Sequence, residues 1–178
     1  IWRGDLELTT LQRTVLLELR LPRVMLAGLV GASLAISGAV LQGLFRNPLA
    51  EPQLIGVSSG AALGAIAMIV LGSGLGLPEA IEPYGVSIAA IVGALVVTGS
   101  LYLVASRRGS GDVTTMLLIG IAINAIAAVG IGLFTWIAND GELRSLTFWS
   151  LGSFGGAQWS TVLPATLLIG VAMIILLP

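Results

Sequence analysis

The sequence contains no cysteine and no histidine, and its arginines account for the whole basic total, so lysine is absent as well. Without cysteine or histidine there is no disulfide, no thiolate nucleophile, no zinc site and no histidine-ligated haem. Without lysine there is no Schiff base, no Ser-Lys dyad and no Walker-A lysine. Charge of either sign is scarce: 10% of the 178 residues, against about 25% in an average soluble domain. Eight basic residues against nine acidic ones leave no basic footprint for nucleic acid. An ordinary soluble enzyme, a disordered chain and a nucleic-acid binder are all excluded.

What fills the sequence is apolar: 56% hydrophobic residues and a mean hydropathy of +1.03. Uncharged runs cover 24–45, 52–78, 83–106, 113–139 and 145–178, and a spanning helix needs about 20 such residues. The expected fold is all-α, a polytopic transmembrane bundle with spans near 24–45, 54–77, 85–106, 113–138 and 161–178. The last run is too long for one span, and its Gly/Ser-rich start predicts a short helix near 142–150 followed by a loop. Residues 1–23 mix charge with Leu and Val and are expected to form an extramembrane or interfacial segment. The sequence opens on Ile1 and closes directly after an apolar run, and is expected to be part of a longer protein.

Gly56, Gly60 and Gly64 recur every four residues, as do Gly85, Ala89 and Gly93. Small residues at that spacing let helix backbones approach closely in lipid; a cavity-lining face is the lesser reading. Pro48, Pro52, Pro78 and Pro83 mark helix stops, since proline lacks a donor and disfavours helical geometry before it. No Asp, Glu, Lys, Arg or His falls in the first four spans, which argues against a proton relay or a voltage sensor. The polar candidates within them are Ser33, Ser37, Gln42, Ser58, Ser59, Thr98, Asn124 and Thr135, and the expectation for each is a bond to a neighbouring helix before a substrate. Gly56-Val57-Ser58-Ser59-Gly60 matches the G-x-S-x-G of hydrolases, but no base exists to take the serine proton.

RLPRVMLAGLVGASLAISGAVLQGLFRNPLAEPQLIGVSSGAALGA, residues 20–65, closely resembles the signature region of permease subunits of type II ABC importers. This is the FecCD/BtuC-like group for iron siderophores, haem and vitamin B12. LLIGIAINAI and LTFWSLGSFGGAQW resemble the same family further on. The resemblance implies the N-terminal half of a ten-helix permease that works with a second copy, two ATPase subunits and a periplasmic substrate-binding protein. It implies no enzyme activity and no cofactor on this chain, with ATP and Mg bound by the partner ATPase. Location in the inner membrane, contact with lipid and no nucleic-acid partner follow from the same reading.

Residue by residue, the resemblance places Arg20 and Arg23 at the periplasmic surface, docking carboxylates of the binding protein; arginine's planar fork suits that task. Anchoring at lipid headgroups is the alternative. Asn47 and Leu49 match the segment that narrows the cytoplasmic end of the pathway, and Asp112 and Thr114 a second gating turn. Ser58, Ser59 and Asn124 are expected along the translocation pathway, with Phe148 and Trp149 on the short helix of the outer gate or serving as interfacial anchors. Counting arginines, five on one side of the alternating spans and three on the other, would make the first side cytoplasmic; the family template reverses this and is adopted. The expected cargo is an iron chelate, haem or a cobalamin-type compound, with haem preferred. An ion-coupled carrier or a channel is the rival, and a membrane scaffold a weaker one.

Overall fold

A backbone surrounded by lipid must satisfy its own hydrogen bonds, and a long uncharged run does so as a helix. In a computed structural model that describes residues 10–107 and 113–176, the regular elements of the described residues are all helical. They are α1 (Thr10–Thr14), a π turn (Val15–Arg20), α2 (Leu21–Phe45), α3 (Val57–Leu71), α4 (Gly85–Arg107), α5 (Val113–Ile137), α6 (Asp140–Leu151) and α7 (Trp159–Leu176), with short 3-10 turns between α2 and α4. Among the described residues, four stretches are long and apolar enough to cross a membrane: Thr10–Phe45, Val57–Gly74, Glu82–Val104 and Thr115–Ile137. The apolar helix Trp159–Ile175 is shorter. Two units emerge, Gly38–Gly152 and the pair Ile1–Ser37 with Ser153–Pro178.

In the first unit, α2 ends in a Schellman pattern. Arg46 N–H donates to the Gly43 carbonyl at 3.3 Å and Asn47 N–H to the Gln42 carbonyl at 3.1 Å. The C′ position, usually glycine, is Arg46 in a left-handed conformation at φ 48°. Pro48 then prevents continuation. The expected span start at 54 is displaced. Pro52 opens a 3-10 turn, Pro52–Ile55, and Gly56 at φ +86° turns the chain before α3 begins at Val57. At the other end α3 stops at Leu71 and tightens into the turn Gly72–Gly74, short of the expected 77. Phe45, Ala50, Ile55 and Leu101 form a buried cluster backed by Leu41, Val57, Met116 and Ile119.

The α3–α4 crossing is built on the two small-residue repeats. A side chain at Gly64 would collide with the Ala89 carbonyl, and one at Gly93 with the Gly60 carbonyl; one at Gly60 would meet the Gly93 carbonyl oxygen at 2.7 Å. The two repeats therefore pack on each other backbone to backbone, the close approach that the spacing predicts. Gly56 and Gly85 leave this seam: the first faces Ile123 and Asn124, the second Met68 and Leu77. On α6, Asn139 caps the start in a full capping box, accepting from Glu142 N–H while the Glu142 carboxylate accepts from Asn139 N–H.

In the second unit, residues 1–9 of the expected separate segment over 1–23 lie outside the described residues, and residues 10–23 belong to one continuous helical stretch with α2. From Thr10 the chain runs without a break into α2, because the π turn accommodates Pro22. A proline ring inside an α-helix presses on the carbonyl four residues back, here Glu18, and supplies no donor. The π turn widens the helix there, and Leu21 N–H donates to Leu16 O. That shift orphans the Leu17 carbonyl: its α donor has moved on, and its π donor would be the nitrogen of Pro22. The indole of Trp159 donates to this carbonyl at 3.0 Å. Pro22 and Val162 are fully buried, and Ala157 is at 6% exposure.

Candidate functional site

The polar residues of the uncharged spans divide into two kinds. Ser33, Thr98 and Thr135 donate to carbonyls four residues back on their own helices, at 2.7–2.8 Å. They dress the helix surface and reach nothing else. Ser59 and Asn124 behave differently. The Ser59 hydroxyl on α3 donates to Asn124 Oδ1 on α5 at 2.5 Å, and Asn124 Nδ2 donates to the Gln53 carbonyl at 3.2 Å. The same carbonyl accepts from Gly56 N–H at 3.3 Å. One amide thus joins α3, α5 and the 3-10 turn Pro52–Ile55, and the pair Ser59–Asn124 is partly buried.

Glycine makes this junction possible. Gly120, one turn before Asn124 on α5, leaves no room for a side chain: a Cβ there would strike the Leu54 carbonyl and stand 3.0 Å from Ile55 Cα. The 3-10 turn consequently lies directly on the α5 backbone. Upstream, Asn47 Oδ1 accepts from Leu49 N–H at 2.9 Å, an Asx turn reinforced by Ala50 N–H to the Asn47 carbonyl at 3.1 Å. This holds Leu49 out, 79% exposed, while Ala50 and Ile55 are buried. Asn47 and Leu49 are therefore part of one ordered turn whose far end is seated on α5. Among the sequence candidates, Ser59 and Asn124 come together and Asn47 and Leu49 come together. Ser58 is exposed, about 100° round the helix from Ser59.

The chemistry available here is hydrogen bonding without charge. The serine that the G-x-S-x-G match would make a nucleophile is Ser58, which is exposed, while its flanking glycines, Gly56 and Gly60, pack against Ile123 and the Gly93 carbonyl. A crevice of about 180 Å³ lies alongside, lined by Leu63, Val97, Ser100, Ile123, Ile126 and Ala127. Phe148 and Trp149 sit on α6 at 67% and 37% exposure. Asp112 lies outside the described residues, and of Thr114 only its place in the backbone of α5 is described.

In the other unit the two arginines of Arg20-Leu21-Pro22-Arg23 have different surroundings. Arg23 Nε donates to the Phe154 carbonyl at 3.2 Å and its Nη2 to the Gly155 carbonyl at 3.1 Å. Its fork closes on the loop that precedes α7. Arg20 ends the π turn and borders a shallow apolar groove with Leu11, Gln12, Val15 and Leu16. Sequence reasoning missed Gln53, Gly120 and Trp159. Gln53 and Gly120 act through their backbones, which side-chain identity does not advertise. For Trp159 the available signal was Pro22, which strips a carbonyl upstream of its donor.

Comparison with known proteins places this arrangement. The description of the FecCD transport family matches residues 2–178. The chain is 47% identical over 153 residues to the hemin transport system permease protein HmuU of Yersinia pestis, covering 86% of this chain and 45% of that one. It is 41% identical over 159 residues to the cobalamin import system permease protein BtuC of Halobacterium salinarum, covering 89% and 41%. With the vitamin B12 import system permease protein BtuC of Escherichia coli it shares 45% over 145 residues, covering 80% and 41%. A solved inward-facing structure of a metal-chelate type ABC transporter superposes with a TM-score of 0.77 at 32% identity, over 92% of this chain and 50% of that one. The chain spans less than half the length of these curated relatives. By a match that runs through every helix described above, this multi-pass membrane chain belongs to the FecCD transport family.

Proposed function

We propose that the chain is part of the permease subunit of an ATP-driven importer in the cytoplasmic membrane. Its cargo is haem, a cobalamin-type compound or an iron chelate, with haem preferred. The observation that carries the importer reading is the family match over residues 2–178. The 47% identity to a hemin permease supports the preference for haem. A second permease copy, two ATPase subunits and a periplasmic binding protein complete the machine, and ATP with Mg binds on the ATPase. The absence of lysine, histidine and cysteine suits a conduit whose energy is supplied by another chain.

Within that reading Asn47 and Leu49 narrow the cytoplasmic end, joined by Asp112 and Thr114 from a second turn. Ser58, Ser59 and Asn124 lie along the pathway, with Phe148 and Trp149 at its outer end. Docking of the binding protein falls first on Arg20, because Arg23 already spends its fork on the loop carbonyls. The test is uptake into proteoliposomes holding the full-length permease and its ATPase. Uptake is expected to need ATP and the binding protein together, and unlabelled haem is expected to compete better than ferric siderophore or cobalamin. Uptake driven by an ion gradient alone would refute the importer reading. Stronger competition by cobalamin or siderophore would move the cargo assignment without touching the rest.

A further inference from the structure

We infer that Asn124 is a positioning residue, fastening the turn over 47–55 to α5 so that the turn and the helix move together. This rests on the proposed placing of Asn47 and Leu49 at the cytoplasmic gate. Three independent observations converge on the fastening. The Asn124 amide donates to the Gln53 carbonyl at 3.2 Å and is held in that orientation by the Ser59 hydroxyl at 2.5 Å. Gly120 admits the Leu54–Ile55 backbone directly onto α5. Gly56, left-handed at φ +86°, carries the chain past Ile123 and Asn124 with no side chain to hold it off: a Cβ there would stand 2.9 Å from Ile123 Cγ2.

The consequence for movement follows from what each bond replaces. A carbonyl at a helix break lacks its regular helical donor, so losing a replacement donor costs free energy. Among the described residues the Gln53 carbonyl accepts from Gly56 N–H and Asn124 Nδ2. Sliding α5 away from the turn would strip one of them and open a gap over Gly120. The lower-energy path keeps the contact, so displacement of α5 carries the 3-10 turn with it. The Asx turn at Asn47 transmits that displacement to Leu49.

The test is hydrogen exchange by mass spectrometry on the full-length permease with its ATPase in nanodiscs, combined with transport kinetics. Asn124→Leu keeps the volume and removes the donor; Gly120→Ala leaves Asn124 intact and pushes the turn off α5 by a methyl group. Both are expected to speed exchange in the 47–56 peptide at least five-fold, with peptides from α4 unchanged. Both are also expected to lower kcat several-fold at an unchanged KM for the loaded binding protein. Unchanged exchange over 47–56 in both variants overturns the fastening, as does equal acceleration in α4, which would mean general loosening. Faster exchange confined to 47–56 with transport intact supports the fastening and instead removes Asn47 and Leu49 from the gate.

Discussion

The α3–α4 crossing and the Pro22 region hold helices together by opposite means. At the crossing, side chains are missing where the helices meet: Gly60, Gly64, Ala89 and Gly93 bring carbonyls against the opposing backbone. Around Pro22 the backbone itself is defective, and long side chains repair it. Trp159 answers the orphaned Leu17 carbonyl, and Arg23 answers two loop carbonyls. The first device has no spare volume and no substitute. The second is made of individual hydrogen bonds, each modest in net worth. The same chain thus has one region intolerant of any added atom and one that degrades gradually.

The largest effect that would break this contrast lies in the seam. Gly93→Leu is expected to destabilise the full-length protein by about 3 kcal/mol, because overpacking in a close-packed contact forces the backbones apart; denaturation in bicelles reads this directly. A near-neutral result would mean the crossing has slack. In the stitched region, Trp159→Phe removes a donor and keeps the ring, and is expected to cost about 1 kcal/mol in the same measurement. Arg23→Met should cost a comparable or smaller amount, since its bonds are exposed, whereas Arg20→Met should stay within about 0.5 kcal/mol. Equal effects at the two arginines would erase the distinction drawn between them. The smallest change belongs to Thr98→Val. Its hydroxyl only bonds its own helix at the Ala94 carbonyl, and the expected shift is within about 0.5 kcal/mol.

Much of the architecture was legible because lipid simplifies the rules. Uncharged runs longer than about 20 residues predict helices, and α2, α4 and α5 follow them. The four-residue repeats predicted a close crossing, and Gly60 and Gly64 meet Ala89 and Gly93 there. The start of α3 was misplaced because the uncharged run over 52–78 takes in Pro52 and Gly56, which the backbone uses for a 3-10 turn and a left-handed residue. The bond from Trp159 to Leu17 spans 142 positions and that from Asn124 to Gln53 spans 71. No local periodicity encodes such a pairing. Asn124 was picked out by being polar in mid-span, but its donor target is a backbone carbonyl and so carries no signature of its own. The start of α6 falls two residues before the expected 142, because Asn139 and Glu142 form a capping box that the sequence reading did not use.

The brevity of α3 has a consequence of its own. Fifteen residues rise about 22 Å at 1.5 Å each, some 8 Å less than the roughly 30 Å hydrocarbon thickness of a bilayer. The turn Gly72–Gly74 adds about 6 Å at roughly 2.0 Å per residue, which brings the stretch Val57–Gly74 close to that thickness and long enough to cross. The reach of this span therefore rests on tightened 3-10 backbone, and on the glycines that permit it, as much as on its apolar side chains.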